Sequence, residues 1–340
     1  MHLPRRRFLQ LGLLATALAA PPVGTTRASE RTGLDAAIER ARGLDRLQGL
    51  IVAQQGRILV DRALRGPALD QAVNVKSVAK TVIAALVGAA VRRGVLEGPD
   101  QPIASLLGEL VPDGADAQIQ EVTIGNLLSM QAGLERTSGQ NYGAWVTSPN
   151  WVRHALTRPF VAEPGGEMLY SSGNSHLLSV ILTRASGRST LALARDWLGA
   201  PLGISIPAWQ QDPQGYYFGG NNMALAPRAL LQLGELYRLG GRLEGDPVFS
   251  ESWVETSWQQ RGRSRWTGDH YGYGWFIRSM GGRRVYYAWG YGGQMVYVIP
   301  ELDATLVITS DSSQPSGASG YVRRLHALVE RSFLPVFEAA

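Results

Sequence analysis

Two lysines flank one serine in this 340-residue sequence, and they are its only lysines. Lys76 precedes Ser77, and Lys80 follows the serine by three residues at the start of 77–93, an apolar segment that predicts a buried helix. All other basic side chains are arginines, which stay protonated, whereas a buried lysine can lose its proton and act as a base. Ser77 and Lys80 are therefore a candidate nucleophile and base, and a helix-capping serine is the structural alternative.

Short β-rich runs at both ends of the chain predict the elements that position this pair. Two such runs around the Gln55-Gly56 turn predict a hairpin, and four strands are predicted near the end of the chain, before a final helix. We therefore expect an α+β fold with an antiparallel sheet formed from both termini, flanked by helices and interrupted by an inserted, mostly helical region. The sheet part is expected at 34–75 and 272–335, and the helical part at 76–271.

The first 28 residues have the composition of an export signal. The basic Arg5-Arg6-Arg7 precedes an apolar run at 8–20, which is too short to span a bilayer. This block resembles a signal for the twin-arginine export machinery, and an ordinary secretory signal is the alternative. The remaining domain, 29–340, is expected to be periplasmic or secreted and to have no stable membrane span.

Composition excludes several classes of function. The chain has no cysteine, which excludes disulfides, thiol nucleophiles and cysteine-based zinc sites. Its net charge is +5, but the segment 1–28 holds four arginines and no acid, so the rest has 29 basic and 28 acidic residues. A net charge of +1 argues against charge-driven binding of nucleic acid. The histidines show no metal-ligand spacing and are expected to be structural: His154, His176, His270 and His326.

Four segments along the chain carry family-like motifs. They are 74–80 (Asn-Val-Lys-Ser-Val-Ala-Lys), 123–134, 163–174 with Tyr170-Ser171-Ser172, and 290–294 (Gly-Tyr-Gly-Gly-Gln). In this order they resemble the motifs of the serine β-lactamase and penicillin-binding-protein superfamily, in its class C-like branch. That branch includes carboxylesterases and hydrolases of 6-aminohexanoate oligomers. The resemblance covers roughly residues 35–335 and implies a β-lactamase/transpeptidase-like fold.

The resemblance implies catalytic roles at the matching positions. Ser77 would be the nucleophile at a helix N-terminus, where the dipole favours developing negative charge. Lys80 would accept or tune its proton. Tyr170 would pass a proton to the leaving group, and a packing tyrosine is the alternative. Ser172 would bind substrate and orient Lys80, and it could also cap the helix that follows.

The resemblance also implies a substrate-binding edge. The oxyanion hole would comprise the backbone N–H groups of Ser77 and Tyr291, next to Gly290. Many aromatic residues between 253 and 291 could wall an apolar acyl pocket. We expect most of them to be core residues and only Trp289 and Tyr291 to face the substrate.

Ala288 departs from the family pattern. Many relatives have Lys or His two residues before the glycine that matches Gly290, so a cation for a substrate carboxylate is missing here. The class A deacylating glutamate has no clear counterpart either. Both gaps favour an esterase or amidase that cleaves a small-molecule substrate through a Ser77 acyl-enzyme, with no metal and no cofactor. The alternatives are a β-lactamase or D-alanyl-D-alanine carboxypeptidase and, in another class, a catalytically inactive ligand-binding or sensor protein.

Overall fold

The computed structural model describes residues 23–317 and 319–339. The predicted export signal lies outside these residues except for 23–28, where the first helix begins. Within the described ranges, no helix combines the length and the apolar character that a membrane crossing requires.

One large antiparallel sheet runs through the molecule. The ten strands are β1 Leu47–Gln54, β2 Arg57–Ala63, β3 Val73–Asn74, β4 Ala224–Leu225, β5 Gly262–Arg263, β6 His270–Tyr271, β7 Phe276–Met280, β8 Arg283–Gly290, β9 Gln294–Ile299 and β10 Ala304–Ser310. Eight of them form the sheet in the order β2-β1-β10-β9-β8-β7-β6-β5, and every neighbouring pair is antiparallel. The strands β3 and β4 form a separate two-stranded sheet.

The two ends of the chain meet at the pairing of β1 with β10. The turn between β1 and β2 has Gln55 at φ 51° and Gly56 at φ 74°, which matches the twist that a tight hairpin needs. Because the N-terminal hairpin adds to the C-terminal strands, the sheet is built from both termini. The predicted α+β fold is confirmed.

Helices pack against both faces of the sheet. They are α1 Val23–Arg42, α2 Ala79–Arg92, α3 Ile103–Leu107, α4 Ile124–Leu128, α5 Tyr142–Val146, α6 Trp151–Leu156, α7 Ser172–Ser186, α8 Thr190–Ala194, α9 Ala200–Leu202, α10 Pro227–Arg238, α11 Glu251–Ser257, α12 Tyr321–Leu328 and α13 Leu334–Ala339. Alternate residues of β9 face two different cores, as strand geometry requires. Val296 and Val298 pack with α2 and α10, whereas Met295 and Tyr297 pack with the terminal helices.

Some element boundaries differ from those that the sequence predicts. The helix predicted over 77–93 begins at Ala79, because Lys76–Val78 form a 3₁₀ turn first. The sheet extends back to Gly262, ahead of the expected start at 272, through β5 and β6. These two strands have only two residues each, too few for an alternating pattern to be visible.

Candidate active site

A single 3₁₀ turn carries Ser77 in front of the buried helix α2. Lys76 has φ 53°, and its backbone N–H donates to Asn74 Oδ1 at 2.9 Å. Such a left-handed conformation strains a residue that has a side chain, and strain of this kind concentrates at functional sites. The residue before α2 is Val78 and not Ser77, and among the described residues no side-chain hydrogen bond caps the helix there. The structural alternative for Ser77, a helix cap, is therefore wrong.

Lys80 lies in the first turn of α2 and is almost completely buried. Its Nζ lies 3.0 Å from Ser77 Oγ, 3.0 Å from Ser172 Oγ and 2.6 Å from the carbonyl oxygen of Gly220. Burial lowers the pKa of Lys80 from 10.5 to about 7. A neutral amine has two N–H donors for Gly220 and Ser172 and one lone pair, which leaves the lone pair for the Ser77 hydroxyl. Lys80 is therefore placed to act as a base.

Tyr170 is the third group beside the serine. The centre of its ring is 5.0 Å from Lys80 Nζ, and its ring stacks on Phe276 with the centroids 6.0 Å apart. Burial raises the pKa of Tyr170 to about 12, and the neighbouring Ser77 hydroxyl offsets only part of this increase. The phenol thus keeps its proton at neutral pH while Lys80 can release its own. Two groups with pKa values moved apart in this way suit separate acid and base roles.

Ser172 is the first residue of α7 rather than the residue before it, so the alternative of an N-cap is wrong. Its Oγ accepts hydrogen bonds from Lys80 Nζ and, at 3.2 Å, from Ser138 Oγ. The Ser138 hydroxyl in turn accepts from the backbone N–H of Ser172 at 2.9 Å. Ser138 and Gly220 are contacts of the site that the sequence did not predict, since both lie in loops without a recognisable pattern.

The segment that carries Gly220 is fixed beside the serine by backbone pairing. The strands β3 and β4 pair directly before Ser77 and directly after this segment, and the Val75 N–H donates to the Met223 carbonyl at 3.0 Å. Gly220 also packs so closely on α7 that a Cβ on it would lie 2.7 Å from the Ser172 carbonyl oxygen. A side chain there would move the Gly220 carbonyl away from Lys80.

The end of β8 meets the turn that carries Ser77 at Gly290. A Cβ on Gly290 would lie 2.3 Å from the Val75 carbonyl oxygen, so this approach requires glycine. Tyr291 follows at once and lines the cavity in front of Ser77. The two segments predicted to supply the oxyanion donors, at Ser77 and Tyr291, therefore lie together.

A cavity of about 200 Å³ opens in front of the serine, and aromatic rings form most of its wall. Its lining residues are Ser77, Tyr170, Ser264, Trp266, Phe276, Trp289 and Tyr291. Trp289 and Tyr291 lie where they were expected, whereas Ser264, Trp266 and Phe276 were not expected to face substrate. Other aromatic residues from the same stretch are core residues: Trp253, Tyr271, Tyr273, Trp275 and Tyr287.

The buried histidines form pairs away from this cavity. His176 Nε2 lies 2.9 Å from Asp212 Oδ2, and both side chains are fully buried. His326 Nδ1 lies 3.0 Å from the Tyr297 hydroxyl, and burial lowers the pKa of His326 to about 3. In the part of the chain that the structure describes, no three or more histidine or carboxylate side chains are grouped as a metal site.

Comparisons with known proteins agree on the fold. The Beta-lactamase family model matches residues 34–331. No curated protein matches the chain significantly.

Similar solved structures include a Bacillus anthracis protein provisionally assigned as a 6-aminohexanoate-dimer hydrolase, with a TM-score of 0.71, 16% identity, and coverage of 88% of this chain and 81% of that one. EstCE1, a hydrolase with promiscuous acyltransferase activity, has a TM-score of 0.69 at 18% identity over 90% of this chain and 99% of its own. A penicillin-binding protein homologue from Caulobacter crescentus has a TM-score of 0.69 at 17% identity over 88% and 96% of the two chains. At these identities the structural likeness concerns the fold.

Proposed function

Because the chain belongs to the beta-lactamase family, we propose that it is an exported serine hydrolase that cleaves an ester or amide through an acyl-enzyme on Ser77. The observation that carries the proposal is the contact between Ser77 and Lys80. A lysine whose pKa is lowered to about 7 lies 3.0 Å from the hydroxyl, as proton transfer requires. Burying an amine costs free energy, and a catalytically inactive binding protein would gain nothing from it.

In the proposed reaction, the neutral amine of Lys80 takes the Ser77 proton while Oγ attacks the substrate carbonyl carbon. The backbone N–H groups of Ser77 and Tyr291 hold the resulting oxyanion. The C–O or C–N bond then breaks. The leaving group takes the phenol proton of Tyr170, and the tyrosine recovers a proton from the Lys80 ammonium. Water attacks the acyl-enzyme by the same route, which releases the carboxylic acid and restores the Ser77 hydroxyl.

The surroundings of the serine favour a general ester or amide over a β-lactam. Many relatives have a cation at the position of Ala288, which is fully buried here. Among the described residues, the side chains that line the cavity include no lysine, arginine or histidine. A carboxylate next to the scissile bond would have no positive partner there. We therefore expect turnover of p-nitrophenyl esters and little turnover of nitrocefin.

Labelling with a fluorophosphonate probe tests the proposal. We expect the probe to modify Ser77, to leave Ser77→Ala unmodified, and to inhibit turnover of p-nitrophenyl esters in proportion to labelling. Mass spectrometry of the labelled peptide separates Ser77 from Ser264, a second serine of the cavity. An unlabelled protein that hydrolyses no ester would support the binding-protein alternative, and rapid turnover of nitrocefin would support a β-lactamase.

Export is a separate part of the proposal, supported by the Arg5-Arg6-Arg7 block before an apolar run. A receptor reads the twin-arginine signal, so charge alone does not replace it. Changing the three arginines to lysines keeps the charge that a general secretory signal needs. We expect the periplasmic yield of this triple variant to fall strongly, and an unchanged yield would reject the twin-arginine signal.

A further inference from the structure

The mouth of the cavity presents two aromatic side chains to solvent. Trp266 is 62% exposed and Tyr291 is 49% exposed, and both line the cavity in front of Ser77. Large apolar side chains that remain exposed at one place mark a surface that a ligand covers. An apolar part of the substrate is thus expected to lie between these rings, with its carbonyl group at Ser77.

Arg136 places a positive charge over the ring of Trp266, the more exposed of the two aromatic residues. The guanidinium carbon of Arg136 lies 4.7 Å from the centre of the Trp266 ring, which is the geometry of a cation–π pair. The same loop continues to Ser138, whose hydroxyl donates to Ser172 beside Lys80. Arg136 therefore lies in the same loop as a hydroxyl that contacts Ser172, the neighbour of Lys80.

Arg136 differs from its charged neighbours because it has no acidic partner among the described residues. Glu135 is paired with Arg158, and Glu167 is paired with Arg265. Since Glu135, which precedes Arg136 in the chain, is neutralised by Arg158, the charge on Arg136 is available to a ligand. A guanidinium that stacks on tryptophan still directs its N–H donors outward in its own plane, where a carboxylate can accept two of them.

We propose that the substrate carries a carboxylate at the far end of an apolar chain and that Arg136, held on Trp266, binds this group. This inference rests on the proposed hydrolysis at Ser77 and adds the class of substrate. Many relatives have a cation next to the scissile bond, at the position of Ala288. In this protein Arg136 supplies a positive charge at the mouth of the cavity instead. Substrates with the charge at a distance from the carbonyl should therefore be preferred over uncharged ones.

The test compares esters that differ only in this charge. On the acyl side, the mono-p-nitrophenyl ester of adipic acid is compared with the p-nitrophenyl ester of adipic acid monoamide. On the leaving-group side, 3-carboxyphenyl hexanoate is compared with 3-carbamoylphenyl hexanoate. We expect kcat/KM to favour the anionic member by about tenfold in one of the two pairs, and that pair identifies the half of the substrate that carries the charge. We expect Arg136→Met to abolish this preference.

Arg153→Met is the matched control, because it removes an equal charge from an exposed position on α6 and leaves Arg136 and the loop that carries Trp266 unchanged. We expect this variant to keep the preference. An equal loss in both variants would mean that the general positive field, and not Arg136, selects the substrate. A wild-type enzyme that turns over both members of both pairs equally would also overturn the inference.

Failure of the proposed function has a different signature. Ester hydrolysis that persists in Ser77→Ala would reject the acyl-enzyme and leave the charge preference to be measured separately. Binding of adipic acid monoamide and of hexanamide, followed by tryptophan fluorescence, gives that measurement without turnover. Binding of 3-hexanamidobenzoate and of 3-hexanamidobenzamide tests the leaving-group side in the same way. Tighter binding of the anionic member of either pair that is lost in Arg136→Met supports the inference, and equal binding within both pairs overturns it.

Discussion

The Nζ of Lys80 lies 2.6 Å from the carbonyl oxygen of Gly220, across 140 residues of sequence. This contact sets the position of the amine as much as the contact with Ser77 does, because it is the shortest of the three that Nζ makes. Asp212 lies in the loop that leads to Gly220. One oxygen of that carboxylate accepts the backbone N–H groups of Gln214 and Tyr216, both at 2.9 Å, and so shapes the loop before Gly220.

The other oxygen of Asp212 meets His176, which lies one turn after Ser172 on α7. We expect His176→Phe to keep the ring among its aromatic neighbours but to leave Asp212 Oδ2 buried without a partner. The variant should lose about 1–3 kcal/mol of stability in urea denaturation. If the pair positions Gly220, the pH midpoint of ester hydrolysis should also move. Loss of stability with an unchanged midpoint would make the pair purely structural.

The pH dependence of acylation follows from the two displaced pKa values. Lys80 must be neutral to act, so the acylation rate should rise tenfold per pH unit below about 7 and level off above it. Tyr170 has a pKa of about 12, so its deprotonation should cause no decline below pH 10. Stopped-flow acylation by a p-nitrophenyl ester measures this profile. A midpoint near 10 would mean that the lysine titrates as if it were exposed.

The stability of the fold should report the same lysine independently. In the native protein its pKa is about 7 instead of 10.5, so between these values the unfolded chain holds a proton that the native state lacks. Stability therefore rises with pH across this window, by about 1.4 kcal/mol per pH unit from this group. We expect Lys80→Met to be more stable than wild type at pH 6 and to lose this advantage by pH 10, as measured by urea denaturation at both values.

Sequence reasoning predicted the sheet and the pair formed by Ser77 and Lys80, because both depend on local patterns. The hairpin turn at Gln55-Gly56 and the apolar helix after Ser77 are properties of short segments. Ser138 and Gly220 contribute a hydroxyl and a backbone carbonyl, and neither has a side-chain signature. Gly220 depends on the long-range pairing of β3 with β4, and strands of two residues are too short to predict from sequence. Ser138 depends on its contact with Ser172, 34 residues away in sequence.

Trp266 was missed for a related reason. Its aromatic neighbours in sequence are mostly core residues. Which ring faces the cavity depends on where each residue lies at the edge of the sheet. Ala288, in contrast, could be identified from the sequence alone, because alanine stands at a motif position where many relatives have Lys or His. The charge that replaces it was not visible, because Arg136 and Trp266 meet only in three dimensions.

Tyr170→Phe should separate amide from ester hydrolysis. An amine leaving group must receive a proton before it departs, whereas p-nitrophenolate leaves without one. The variant keeps the ring that stacks on Phe276, so we expect the melting temperature to change little. Turnover of an anilide should fall by about 10²–10⁴-fold and turnover of the p-nitrophenyl ester by much less. Equal small losses on both substrates would make Tyr170 a packing residue.

The two lysines should respond in opposite ways to replacement by arginine. Lys76 precedes Ser77 in the same 3₁₀ turn, and its contribution to the site is its backbone conformation. Lys76→Arg should therefore keep most of the activity.

Lys80 has three oxygen neighbours within 3.0 Å in a buried place. Arginine is bulkier than lysine there and does not deprotonate. Lys80→Arg should therefore lose acylation altogether, as measured in a single turnover with a chromogenic ester. The melting temperature of Lys80→Arg is compared with that of Lys76→Arg as the control for folding. Acylation of Lys80→Arg at near the wild-type rate would remove the lysine from the proton transfer, and the hydroxyl of Ser77 would then need another base.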